Sequence, residues 1–169
     1  MLKKNDVGPQ AYRDAMAKFA GHVHIITTDG AAGLRGATVT ASCSVSDTPP
    51  ILLVCLNREN LKNEVFLANG RFALNTLGKQ HQPVAAAISG QTGLASMSER
   101  FKVGTWDVIA TGAPTLIDAI AVFDCEIIDT KDIATHRIYF GRVAGLRLGK
   151  EQPPLLYHDR HYTVLDDKA

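Results

Sequence analysis

Most short signatures that betray a catalytic chain are missing here. No GxGxxG follows a strand-like run, and no Walker A loop, HExxH or GxSxG occurs. A Rossmann dinucleotide turn, a phosphate loop, a zincin site and a nucleophile elbow are therefore excluded. The chain has three cysteines, Cys43, Cys55 and Cys125, and none is spaced as CxxC. An odd number of thiols among apolar residues predicts reduced, buried cysteines in a cytoplasmic protein. Charge of one sign is also lacking: the formal net charge is +1, with no basic stripe. That argues against a nucleic-acid partner. The longest apolar run, Ile51 to Leu56, is far too short to cross a bilayer, so no membrane partner is expected. The lysines near the start are not followed by an apolar stretch, so no secretory signal is expected. There is no internal repeat, low-complexity segment or linker.

What is present suits one domain over 1–169, with a core from about 11 to 165. At 169 residues such a domain buries about 70% of its unfolded surface. The 46% apolar content excludes disorder. The most informative stretch is Gly36 to Asn57, GATVTASCSVSDTPPILLVCLN. β-branched residues favour strands and Asp47-Thr48-Pro49-Pro50 cannot continue one, so it reads as strand, turn, buried strand. Thr38, Thr40, Ser42, Ser44 and Ser46 share parity, which puts five hydroxyls on one strand face. Ala37, Val39, Ala41, Cys43 and Val45 then form the core face. Small hydrogen-bonding groups in a row would let a flat ligand lie close to the backbone.

Pro9 to Ala20 reads as a helix, with Tyr12, Met16 and Phe19 as its apolar stripe and Asp14 paired with Lys18 outside. His22 to Thr28 reads as one strand. His22 and His24, at i and i+2, lack an evident third metal ligand, so no metal is expected. Asp29-Gly30 with Gly33 marks a hairpin. Asn60 is a natural N-cap for a helix over Leu61 to Ala68, and the free amides at its start, with Lys62, suit an anion. Strands follow at Phe72–Thr76, Trp106–Ala110, Ala119–Thr130 and Thr135–Leu148, with bends at Gly141 and Gly145. Leu155 to Val164 gives a final strand pair. Helices are expected at Gln82–Ser89 and, within the long loop Gln91–Gly104, at Ser98–Phe101. Asp124 and Glu126 share a strand face, which fits either acid–base work or rim solvation. The sum is all-β with helical caps, antiparallel and closed.

Several segments, taken in order, go further. AYRDAMAKFAGHVHIITT, GATVTASCSVSDTPPILLVCLN, FALNTLGKQ, SERF, THRIYFGRV and YHDRHY resemble the short-chain flavin reductases. These are the small reductase components of two-component flavin monooxygenases. The resemblance implies an FMN-binding split β-barrel of Greek-key type, a homodimer, and reduction of FMN or FAD by NADH or NADPH. Hydride would pass between stacked nicotinamide and flavin rings with reacting atoms about 3–3.5 Å apart. It implies cofactor contacts from Thr38, Val39, Thr40, Ala41, Ser42 and Ser44 on the first strand. Asn57, Asn60, Leu61 and Lys62 would hold the phosphate side. Arg100, Tyr157, Arg160 and Tyr162 would frame the pocket, and His136 would meet the nicotinamide. Two departures stand out. Many relatives carry Gly-Asp-His where this chain has Ala134-Thr135-His136. Thr40 replaces an amide side chain found in some, which bears on FMN against FAD. The implied partner is a monooxygenase. A tightly bound FMN serving a corrinoid acceptor, or a non-enzymatic flavin or haem binder, is the alternative.

Overall fold

The computed structural model describes residues 7–165. Helix α1 (Pro9–Met16) is followed by β1 (Gly21–His22), β2 (His24–Thr28), β3 (Arg35–Val39), β4 (Ser42–Asp47) and β5 (Pro50–Asn57). A 3₁₀ turn, Leu61–Asn63, leads into α2 (Glu64–Asn69) and β6 (Arg71–Thr76). Then come α3 (Gln82–Ser89), α4 (Met97–Phe101), β7 (Trp106–Asp107), β8 (Thr115–Leu116) and the long pair β9 (Ala121–Ile133) and β10 (His136–Leu148). The short hairpin β11 (Leu155–His158) and β12 (His161–Val164) ends the described chain.

Seven strands form one sheet in the order β3-β2-β6-β9-β10-β5-β4, antiparallel throughout. Its two edge strands are neighbours in sequence, separated only by Thr40 and Ala41. Laid flat, those edges would stand about 29 Å apart, at about 4.8 Å per strand. Three Cα steps span at most about 11 Å. The sheet must therefore roll until its edges meet. It is not closed by hydrogen bonds, since β3 pairs with β2 and β4 with β5. The expected antiparallel split barrel with helical caps is present, but its closure is covalent, through residues 40 and 41.

Alternation along the strands splits the core. Ile26, Leu52, Val54, Phe72, Leu74, Cys125 and Tyr139 fill the inside of the roll. Val23, Ile25, Ala73, Leu77 and Val122 point outward and are covered by Val84, Ala85 and Ile88 of α3 and by Phe101 of α4. The register of β9 and β10 shifts at Phe140/Gly141 and Val143/Gly145, the bends expected from their glycines. A side chain at Gly141 would bring Cβ within 2.5 Å of the Phe72 ring. Only glycine fits there.

Several expectations fail for physical reasons. The ribbon from 37 to 46 is not one strand. It breaks at Thr40-Ala41, where the chain changes edges, and shifts register again between Ser44 and Ser46. The five hydroxyls therefore do not share a face. Ala41, Cys43 and Val45 are exposed rather than core, because β4 is an edge strand. Of the thiols only Cys125 is buried, while Cys43 is exposed and Cys55 half-buried. Helix α1 stops at Met16 and buries no residue; Tyr12 and Phe19 are 59% and 69% exposed. Asp14 pairs with Arg160 rather than with Lys18, and Lys18 reaches Asp159 at 2.8 Å. Both partners come from the β11–β12 turn, whose Asp159 and Arg160 have positive φ as a two-residue hairpin turn requires. His22 and His24 lie in separate strands, split at Val23, whose N–H donates to Leu155 O instead. Trp106–Ala110 pairs only as far as Asp107. Strand β9 is buried along its first half and exposed along its second. No helix among the described residues is long and apolar enough to cross a membrane.

Candidate functional site

A cavity of about 640 Å³ opens beside β3, within the range typical of small-molecule sites. β3 is an edge strand, so backbone N–H and C=O groups on its outer side have no strand partner. Ala37, Thr38 and Val39 line the cavity from this side. Asn57 lines it from the end of β5, Asn60, Lys62 and Asn63 from the segment that follows, and Arg100 and Met97 from α4. His136 stands at the start of β10, directly across from Asn57, and completes the lining.

The electrostatics are one-sided. Arg35, Lys62 and Arg100 line this cavity, and no carboxylate does. Burial, and then the neighbouring Arg100, lower the pKa of Arg35. Cations held close without counter-charge favour an anionic ligand. Asn63, itself buried, fixes Arg35: its Oδ1 accepts from Nε and Nη2 at 3.2 and 3.0 Å. The same side chain donates to Asn57 O at 2.9 Å, and its backbone oxygen accepts from Tyr139 Oη at 3.3 Å. One asparagine thus ties β3, β5 and β10 together under the cavity. Arg100 is set by its Nε donating to Leu94 O at 2.9 Å. Asn60 caps the 3₁₀ turn as expected, accepting from Lys62 N at 3.3 Å.

The expected site residues divide by place. Thr38, Val39, Asn57, Asn60, Lys62, Arg100 and His136 meet at the main cavity. The Thr38 hydroxyl is already engaged, donating to Ala85 O at 2.8 Å. Thr40, Tyr157 and Tyr162 line a small adjoining cavity of about 200 Å³, which shares Thr38, Val39 and Ser89 with the main one. Ala41, Arg160 and Tyr157 line a third, against Tyr12 and Phe19 of the α1 region. Ser42 and Ser44 lie on β4 at the other sheet edge, in a separate cavity with His24. The side chain of Leu61 points to solvent and is 77% exposed. Arg35 and Asn63 were not expected. Arg35 lies two residues before Ala37 on the same strand, and that spacing was the available signal. Nothing in sequence marks Asn63 as a hub.

Two other candidates are structural. Asp124 is fully buried and accepts from Ala110 N and Thr111 N, both at 2.8 Å, and from the Thr111 hydroxyl. It anchors a loop, which overturns rim solvation as its explanation. Glu126 does face solvent and pairs with Arg142 at 2.7 Å. His22 Nε2 lies 2.8 Å from Leu77 O, and His24 Nδ1 3.2 Å from Thr76 Oγ1. Burial, and then the charge of His22, push the pKa of His24 down to about 4.

Comparison with known proteins points one way. Residues 16–166 match the profile of the flavin reductase like domain. The chain is 45% identical over 154 residues to an NADH-dependent FMN reductase, RutF, of Agrobacterium fabrum, covering 91% of this chain and 87% of that one. Among solved structures it resembles BorF, the flavin reductase component of a bacterial two-component tryptophan halogenase. That match has TM-score 0.85 at 26% identity, over 95% of this chain and 100% of the other. It also resembles the styrene monooxygenase flavin reductase of Pseudomonas putida, with TM-score 0.79 at 26% identity, over 92% and 97%.

Proposed function

We propose a function from one premise: the chain belongs to the flavin reductase like domain family. It is an oxidoreductase that uses NADH to reduce FMN. The observation that carries the site assignment is the carboxylate-free cavity beside the free edge of β3. When bound there, the flavin supplies the two-electron chemistry. The protein's part is placement. The open backbone of β3 offers donors and acceptors to the polar edge of a flat ring. Arg35, Lys62 and Arg100 neutralise a phosphate, with Asn57 and Asn60 beside them. His136, at the opposite rim, orients the nicotinamide. No protein general base is needed, which suits a cavity without carboxylates. Thr40, Tyr157 and Tyr162 extend the floor beyond the ring, while Ser42, Ser44 and Leu61 drop out of a one-chain site.

We further propose that the protein acts as a homodimer of single-domain chains and hands reduced flavin to a monooxygenase. The apolar face left open by Tyr12 and Met16 of α1 and by Phe19 just after it supports the dimer. The naming of structural relatives as monooxygenase or halogenase components supports the partner class. Three cysteines without a disulfide support a cytoplasmic setting. Absorbance at 340 nm with purified protein tests the activity. NADH oxidation should depend on added FMN; protein that stays inert with NADH and every flavin refutes it.

A further inference from the structure

We infer that Arg137 is a positioning residue, which holds the hairpin carrying His136 against the segment carrying Asn57, Asn60 and Lys62. The inference rests on the reading of His136 above. His136 follows the β9–β10 turn, where Ala134 has φ +48°. Its ring hydrogen-bonds to a neighbour in sequence, Thr135, whose Oγ1 lies 2.9 Å from Nδ1. Nothing else in its hydrogen bonding among the described residues fixes the ring, so its place depends on where the hairpin sits.

The backbone ladder pairs His136 with Asn57, and the Arg137 side chain braces that end of the hairpin. Arg137 stands directly across from Asp132 of β9. Its Nε and Nη2 donate to the two Asp132 oxygens at 2.6 and 3.0 Å, a bidentate fork. Its Nη1 donates to Glu64 Oε2, at the start of α2, at 2.8 Å. Arg58 adds a second tie, its backbone N–H donating to Thr135 O at 3.0 Å and its guanidinium 3.5 Å from Asp132. Beyond the β5–β10 backbone ladder, the two walls of the cavity are thus tied by side chains through Arg137 and, at longer range, Arg58. Ordinary surface ion pairs contribute little. This one differs, because the Arg137 side chain is only 13% exposed and donates three hydrogen bonds to two carboxylates. Asp132 first, and Glu64 second, raise its pKa above the usual arginine value.

The test is steady-state kinetics and FMN titration on wild type, His136→Ala, Arg137→Gln, Arg137→Lys and the His136→Ala/Arg137→Gln double variant. Arg137→Gln should raise KM for NADH about fivefold, a loss of roughly 1 kcal/mol. It should leave kcat and FMN affinity within about twofold. Arg137→Lys, which keeps the charge and loses the fork, should fall between it and wild type. In the His136→Ala background Arg137→Gln should add nothing, because both act through one ring. Additive effects, an unchanged KM, or an equal loss of FMN affinity would overturn the inference while leaving the His136 reading standing. If His136→Ala itself leaves KM for NADH unchanged, that reading falls, and this inference with it. Should Arg137→Gln fail to fold, Glu64→Gln cuts only the arm to α2. It should raise KM about twofold, and an unchanged KM would overturn the inference.

Discussion

Replacing Lys62 by Met isolates the charge of the main cavity from its architecture. The Lys62 side chain makes no hydrogen bond or ion pair within the described residues, and its backbone N–H, which caps onto Asn60, is retained. Arg35 could not be removed so cleanly, because Asn63 would lose the partner of its oxygen. A charge-assisted contact between one ammonium and a phosphate contributes about 1.5–3 kcal/mol in net terms. Lys62 is exposed at the rim, so the lower end applies, and about 1–2 kcal/mol corresponds to roughly 5- to 30-fold in Kd. Fluorescence-quenching titrations with FMN and with riboflavin, its phosphate-free counterpart, are the assay. The variant should bind FMN 5- to 30-fold more weakly and riboflavin as wild type does. The FMN penalty should shrink as salt rises from about 0.05 to 0.5 M. Equal weakening of both ligands would mean the substitution disturbed the fold, and an unchanged FMN affinity would remove Lys62 from the phosphate site.

Other expectations are simpler. His136→Ala should raise KM for NADH about tenfold and leave FMN affinity nearly intact, as measured by kinetics and titration; equal loss of both would refute that division of labour. His24, with its folded pKa pushed down to about 4, protonates more readily in the unfolded chain. Its contribution is therefore complete above pH 6.5 and fades as pH falls toward 4, by about 2 kcal/mol between pH 7.5 and 5. Denaturant melts of wild type against His24→Gln should show the variant less steeply pH-dependent across that window. Asp124→Ala should cost about 3 kcal/mol, because it removes three hydrogen bonds that tie the 110–111 loop to a fully buried carboxylate. A chemical melt that shifts by less than a third of that would show the anchor to be dispensable.

How far the sequence carries can be judged from particular residues. The periods of β5, β6 and α3 were legible because each has a single environment along its length, and side-chain pattern reports environment. The β3–β4 ribbon was misread because its hydroxyl period runs unbroken across Thr40-Ala41 while the backbone changes edges there. Alternation says nothing of which neighbour a strand chooses. Helix α1 ends at Met16 rather than Ala20, and its apolar stripe alone does not report whether the chain's own core covers it. In the site, His136, Asn60 and Lys62 stood out through chemistry and family likeness. Arg35 and Asn63 did not, because their roles arise from contacts 28 residues apart. Arg137 was invisible for the same reason, its reach to Glu64 spanning 73 residues.

A crystal structure of the protein soaked with FMN is the most direct measurement of all. The phosphate should lie among Arg35, Lys62 and Arg100, with the ring along the outer edge of β3 and His136 at the open side. Density for the ring against Ser42 and Ser44 of β4, or a phosphate away from those three cations, would contradict the site proposed here.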